Sequence, residues 1–392
     1  MLGSLSTSAY QAIPEICGEI REFGEPANPA LTRILKHAYQ TLKTGGAVTG
    51  FYGYGKTLIA ILSAAAENAA GGKAAVVAAY RALSAEEGKV EISELTIDAV
   101  EKLEETCGED VKRWLGKALG LEPKTPGEAL RGRVEIKGKK LHRLLDLVYA
   151  LKKAGATLVV VDEFEKAVQT PEYYGFKDLG DLLINFFEMV DRWPRPGAGY
   201  TIPSTLWAFL DLQTRRRVAP VYHLSMQITT DDMRKFLERK LGAVPEELKE
   251  VNFRNPAVVA EIVAEVKSRG AQAVIRDRFS WLGKIAYSYP KASEKTRRAL
   301  HAAYISTWYM QNIYAEIPPS LLHKAADIAQ SEDPAAALSK RRRKLLAKTP
   351  SGYMLTYPAV AHIREALTHP QRQQELELTY VADRLRLELE IP

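Results

Sequence analysis

Two short stretches of this chain carry residue types suited to handling a polyphosphate. Gly50-Phe51-Tyr52-Gly53-Tyr54-Gly55-Lys56-Thr57 fits the spacing G-x-x-x-x-G-K-[ST] at every fixed position. Glycines at such places let backbone N–H groups turn inward around phosphate oxygens with no Cβ in the way. Lys56 is the cation for the β- and γ-phosphates, and the Thr57 hydroxyl is a ligand for Mg²⁺. A helix continuing through Leu58 points its positive end at the anion, so Gly50 to Leu58 form the nucleotide-binding set. The competing reading is a glycine-rich turn ahead of an ordinary helix; a strand before the loop and helix formers after it argue against that.

The second stretch is Thr157 to Val161, an apolar, β-branched run that ends in Asp162-Glu163. Such a run reads as a strand buried on both faces, and ligands of open α/β sheets bind beyond the carboxyl ends of strands. If this strand lies beside the loop, Asp162 faces the metal's water shell and Glu163 orients and deprotonates an attacking water. The alternative is that Asp162 caps the next helix. The pair of acids argues for hydrolysis rather than phosphoryl transfer to a small molecule.

The elements that must position these residues follow from periodicity. Leu31, Ile34, Leu35, Ala38 and Leu42 recur at helical spacing over 29–43, and Gly45-Gly46 stops that helix. Ala47-Val48-Thr49 enters the loop as a strand, and 58–70 follows as a helix. Further strands are expected at Ala74–Ala78, 157–161, Val221–Ile228 and Glu250–Phe253. Helices are expected at 178–192, 204–217 and 231–241. Strands alternating with helices predict a parallel sheet covered on both sides, an α/β fold. Beyond residue 255 the pattern is mainly helical. The expected organisation is an N-terminal segment at 1–27, a core at 28–254 with a helix-rich insertion at about 81–153, a helical lid at 255–315 and a C-terminal domain at 316–392.

Composition sets outer bounds. The 392 residues are 46% hydrophobic and 26% charged, and 54 Lys plus Arg against 48 Asp plus Glu leave a net charge of +6. That mild surplus suits a polyanionic partner and a solvated surface equally. Cys17 and Cys107 are far apart without metal-ligand spacing, so no disulfide is expected and a reducing, cytoplasmic location is. Pro14 and Glu15 interrupt the opening residues, which argues against a secretory signal. The longest apolar stretch, 58–66, is well short of the roughly 20 residues of a membrane span.

The loop at 50–57, the Asp-Glu at 162–163 and a later polar-ended strand together resemble the AAA+ and STAND-type P-loop ATPases, most closely the archaeal origin-recognition-like branch. The resemblance covers about residues 28–255 plus a lid to about 315, and it implies a P-loop NTPase core binding ATP and Mg²⁺. It also implies a polar residue at the end of the strand after the acids, which places Gln227 or Thr229 near the attacking water. An arginine acting in a neighbouring subunit's site would be Arg239, with Arg234 and Arg254 behind it, and a lid arginine Arg297 or Arg298. The sequence departs from the family in its long insertion after Tyr80 and in having no asparagine at the polar strand end.

The C-terminal region is open to two readings. Lys340-Arg341-Arg342-Arg343-Lys344 is either a set of phosphate contacts or a solvated helix face. Residues 357–367 read as a helix. Residues 375–391 alternate as a β-hairpin would, which after that helix resembles a winged helix, yet Leu378, Val381, Leu385 and Leu389 also line one helical face. The functional expectation is a homo-oligomeric ATPase, with no membrane association, whose C-terminal region engages double-stranded DNA. A STAND-like switch contacting protein, and a nucleotide-binding scaffold with negligible turnover, are the alternatives.

Overall fold

The computed structural model describes residues 4–50, 53–78, 106–120, 144–164, 198–204, 207, 215–216, 218, 220–249, 251–310, 313–339 and 344–366. The chain divides into two compact units, residues 1–227 and 228–392.

In the first unit the strands are β1 (Ala47–Gly50), β2 (Ala74–Ala78), β3 (Leu158–Asp162), β4 (Gly199–Pro203) and β5 (Val221–His223). They form one sheet in the order β2-β3-β4-β1-β5, and every pairing is parallel. β1 and β3 are buried along their whole length, the polar Thr49 and Asp162 included. α1 (Ser4–Phe23) and α2 (Pro29–Lys43) precede the sheet, α3 (Lys56–Ala69) follows β1, and α4 (Glu109–Leu119) and α5 (Leu144–Lys153) precede β3. α2 starts where Asn28 accepts a hydrogen bond from Ala30 N–H with Pro29 at the first helical position. It buries the stripe Ile34, Leu35, Ala38 and Leu42. α3 is buried from Ile59 to Ala69, and its alanines let it lie close to the strands. α6 (Leu224–Gln227) closes the unit.

Four expectations change. First, β4 lies between β1 and β3, so the acid-bearing strand is not the loop strand's neighbour. Second, the strand expected over Val221–Ile228 stops at His223, because β1 offers partners only up to Thr49, and Leu224 to Gln227 turn into a helix. Third, residues 251–255 form no strand; Asn252 N–H donates to Tyr309 O at 2.9 Å. Fourth, Cys17 and Cys107 are joined in a disulfide with Cα atoms 4.8 Å apart. Their distance in sequence was no guide, because Ile13, Ile16, Cys17 and Ile20 form the buried stripe of α1, and α1 packs against α4 just beyond Cys107. The helix expected at 178–192 and most of that at 204–217 lie outside the described residues.

The second unit is mainly helical: α7 (Thr230–Leu241), α8 (Pro256–Arg269), α9 (Ala271–Tyr287), α10 (Glu294–Met310), α11 (Pro319–Ile328), α12 (Pro334–Leu338) and α13 (Tyr357–Ala366). α10 is its axis, packing against α9, α11 and α12. Trp308 on α10 is met edge-on by Phe253 and Phe279, and Tyr304 is fully buried, so the aromatic cluster at 304–309 is core. Strands β6 (Leu346–Lys348) and β7 (Tyr353–Leu355) pair antiparallel, and Ile317 bridges to Tyr353 as a third, one-residue strand. The unit opens at Ile228, ahead of the 254 expected as the core's end. Among the described residues no helix is long and apolar enough to cross a membrane.

The Cys17–Cys107 bridge spans 90 residues that include β1, α3 and β2. Closing a loop of that length restricts the unfolded chain by roughly 4–5 kcal/mol in the chain-entropy picture. Cys17→Ser, or addition of reductant, is therefore expected to lower the denaturation midpoint clearly. Thiol titration of the untreated protein should find no free cysteine; two free thiols with an unchanged midpoint would contradict the bridge.

Candidate functional site

The residues singled out in the first unit converge at the carboxyl ends of β1, β4 and β3. β1 delivers Gly50, where a larger residue would be crowded: an added Cβ would lie 3.3 Å from Leu224 Cβ and from Tyr54 Cβ. Gly53 and Gly55 take positive φ angles of 82° and 80°, which glycine adopts without strain. Gly55 is the N-cap of α3 and supplies no side-chain oxygen, so the first N–H groups of α3 have no capping side chain. Lys56 Nζ donates to Gly50 O at 3.0 Å, folding the ammonium over the loop. Tyr54 is buried, and Leu58 is half-buried at the start of α3. Phe51 and Tyr52 lie outside the described residues.

Thr57 reaches Asp162 by a side-chain hydrogen bond, and Lys56 lies close enough for its charge to act on that carboxylate. The expected partnership of the two stretches therefore exists, although a strand separates them. β4 supplies the link. Thr201, fully buried, donates to Asp162 Oδ1 in a short hydrogen bond and accepts from Glu163 N–H at 3.2 Å. Burial pushes the Asp162 carboxyl above its ordinary range, against the hydrogen bonds from Thr201 and Thr57 and the charge of Lys56. Glu163 is buried and has φ 56°, the left-handed region that a β-strand exit does not need. A non-glycine residue there costs on the order of 1–3 kcal/mol, and such strain gathers at functional sites. Phe164, fully buried and edge-on to Tyr200 of β4 at 5.7 Å, anchors the turn behind it.

The other expected site residues belong to other elements. The strand that follows the acids is β4, not β5, so Gln227 and Thr229 do not mark a strand end. Gln227 sits in α6, exposed, with its carbonyl accepting from Arg33 at 2.6 Å. Thr229 is the N-cap of α7, exchanging hydrogen bonds with Asp232 in a capping box. Arg239 closes α7, Arg234 donates to Lys249 O, and Arg254 precedes α8. Arg298 pairs with Glu294 at 2.6 Å within α10, beside Arg297. All five arginines belong to the second unit.

Thr201 and the buried Ser204 that follows β4 were missed by sequence reasoning. The signal was faint: Tyr200-Thr201-Ile202 is three β-formers between a glycine and a proline, at the end of a proline- and glycine-rich stretch.

No family model, curated protein or solved structure matches this chain.

Removing the Thr201 hydroxyl would leave the buried Asp162 carboxylate short of a donor. Thr201→Val is expected to destabilise the protein by about 1–3 kcal/mol, and Thr201→Ser, which keeps the hydroxyl, by clearly less. Chemical denaturation of the two variants checks this; equal loss in both would show that the methyl group matters and the bridge does not.

Proposed function

We propose that the first unit binds ATP with Mg²⁺ and hydrolyses it. The observation that carries the reading is the Thr57–Asp162 hydrogen bond, which brings the end of a G-x-x-x-x-G-K-T loop to the strand-end acids across an intervening strand. The chemistry of each group agrees. Amides at the α3 N-terminus and the Lys56 ammonium complement β- and γ-phosphate charge. Thr57 and Asp162 would hold magnesium, which binds through one or two protein oxygens and keeps water and phosphate oxygens for its remaining positions. Among the described residues no three His, Cys, Asp or Glu side chains gather as a metal cage, and a nucleotide-borne ion needs none. Bound magnesium supplies neutralisation of charge on the phosphates. Glu163, held at the strand exit by the Thr201 bond to its N–H, positions a water and takes its proton.

The second unit favours a nucleic-acid partner over a protein one. α11 and α12 are joined by the short turn 329–333, Asp333 caps α12 by accepting from Ala336 N–H at 2.9 Å, and the β6–β7 hairpin follows. Two helices and a hairpin are the parts of a winged helix, whose second helix enters a DNA major groove. The basic run 340–344 joins α12 to the hairpin, and Lys344 and Lys348 are exposed. On this reading the DNA-binding segment is 316–355; the hairpin expected at 375–391 lies outside the described residues.

Lys56→Ala is expected to abolish binding of a fluorescent ATP analogue. Glu163→Gln should retain binding and lose at least about 100-fold in turnover. Unchanged turnover in that variant would remove Glu163 as the base. For the second unit, filter binding of duplex DNA should weaken roughly a hundredfold between about 50 and 200 mM salt if about four phosphates are contacted. Absence of binding at the lowest salt would remove the DNA reading and leave the protein-contacting switch.

A further inference from the structure

We infer that His223 is a positioning residue for the nucleotide loop, holding Thr49 and the exit of β1 in register through its neutral imidazole. The inference rests on the nucleotide reading of that loop and goes beyond it. At the end of the sheet two consecutive residues grip two others. His223 and Thr49 are register partners on β5 and β1, and His223 Nδ1 lies 2.6 Å from Thr49 Oγ1. The next residue, Leu224, packs its side chain where a Cβ on Gly50 would sit, 3.3 Å away. Gly50 in turn offers the carbonyl that receives Lys56 Nζ. The His223-Leu224 step thus fixes the last two residues of β1, Thr49 and Gly50, where the strand passes into the loop.

The proton inventory makes the grip dependent on the state of the ring. Thr49 is fully buried, and its hydroxyl donates to Nδ1 when the neutral imidazole carries its proton on Nε2, the tautomer on which the grip rests. A protonated ring would donate at Nδ1 instead, leaving that hydroxyl proton to seek another acceptor in a closed space. The groups around His223 oppose protonation. Trp207 stands edge-on at 6.1 Å, and Arg215 lies over the Trp207 ring at 5.6 Å. On α2, Arg33 and His37 flank the neighbouring Tyr222. Burial first, and Arg215 second, push the imidazole below its usual range. Sign and window follow: the neutral form prevails above the ordinary histidine value of about 6.5, and the grip is lost as pH falls below it through the lowered folded value.

The test compares ATP-analogue affinity of the full-length wild type, His223→Asn, His223→Leu, Thr49→Val and Lys56→Ala between about pH 8 and about pH 5.5. Asparagine places a non-titrating acceptor near the Nδ1 position. It should recover most of the affinity that leucine loses, about tenfold, at the higher pH. Because the terminal phosphate of ATP itself takes a proton near pH 6, the decisive readout is the ratio of wild-type to His223→Asn affinity. That ratio is expected to fall toward the acid end, by less than about tenfold, because the lowered ring is only partly protonated there. A ratio independent of pH, or wild-type affinity in Thr49→Val, overturns the inference while a dead Lys56→Ala leaves the nucleotide reading standing. If wild type and Lys56→Ala bind the analogue equally or not at all, the nucleotide reading itself has failed.

Discussion

Burial of a carboxylate is the constraint around which the first unit is organised, and it is met in two opposite ways at the two ends of one sheet. At the amino ends of the strands, Glu67 accepts from Tyr39 at 2.5 Å and from Lys43 at 2.8 Å, with Thr157 as a third donor. Burial is the largest single influence on that group, yet the donors together overcome it and hold the carboxyl below its ordinary range. At the carboxyl ends, Asp162 has Thr201 and Thr57 as donors and Lys56 nearby, and burial still wins. A carboxylate left in that state is one that an added cation would relieve. Deeper desolvation of Asp162 separates the two acids, and on the proposed reading it leaves Asp162 ready for an ion.

How much of this was legible in the sequence depended on how local the signal was. The glycine loop, β1 and β3 could be read because their patterns are contiguous: fixed glycine spacing in one case, unbroken β-branched residues in the others. α2 and α7 could be read from apolar periodicity. β4 could not, since its five residues include Gly199 and Pro203 and follow a stretch rich in turn formers. That single omission displaced the polar strand-end assignment onto Gln227 and Thr229. The disulfide was illegible for a different reason. Proximity of Cys17 and Cys107 arises from helix packing, and no local pattern encodes a contact across 90 residues.

The second unit shows the same division. Its mainly helical character followed from the pattern beyond residue 255, while the role of Asn255 as the cap of α8 did not. Its hairpin did not, because β6 and β7 are three residues each and lack an alternating run long enough to detect. What holds them is tertiary: Ile317 exchanges backbone hydrogen bonds with Tyr353, tying the hairpin to the start of α11. A segment with better alternation, 375–391, drew the sequence reading away from it.

The interposed strand also bears on what the site has room to hold. Neighbouring strands lie about 4.8 Å apart, so β1 and β3, flanking β4, are separated by roughly twice that. Backbone to backbone, the loop and the acids therefore stand too far apart for direct contact. Only side chains close the interval, Thr57 from α3 and Asp162 from β3, with Thr201 lining the strand between. On the proposed reading this gap of one strand is what lets a polyphosphate and a water stand between Lys56 and Glu163. Direct adjacency of β1 and β3 would crush that space. The strain at Glu163 belongs to the same argument, since a φ of 56° turns the chain at once beyond Asp162, with Phe164 driven into the core behind it. A strained and incompletely compensated site needs stability from elsewhere, and the Glu67 network and the Cys17–Cys107 bridge supply it away from Asp162 and Glu163.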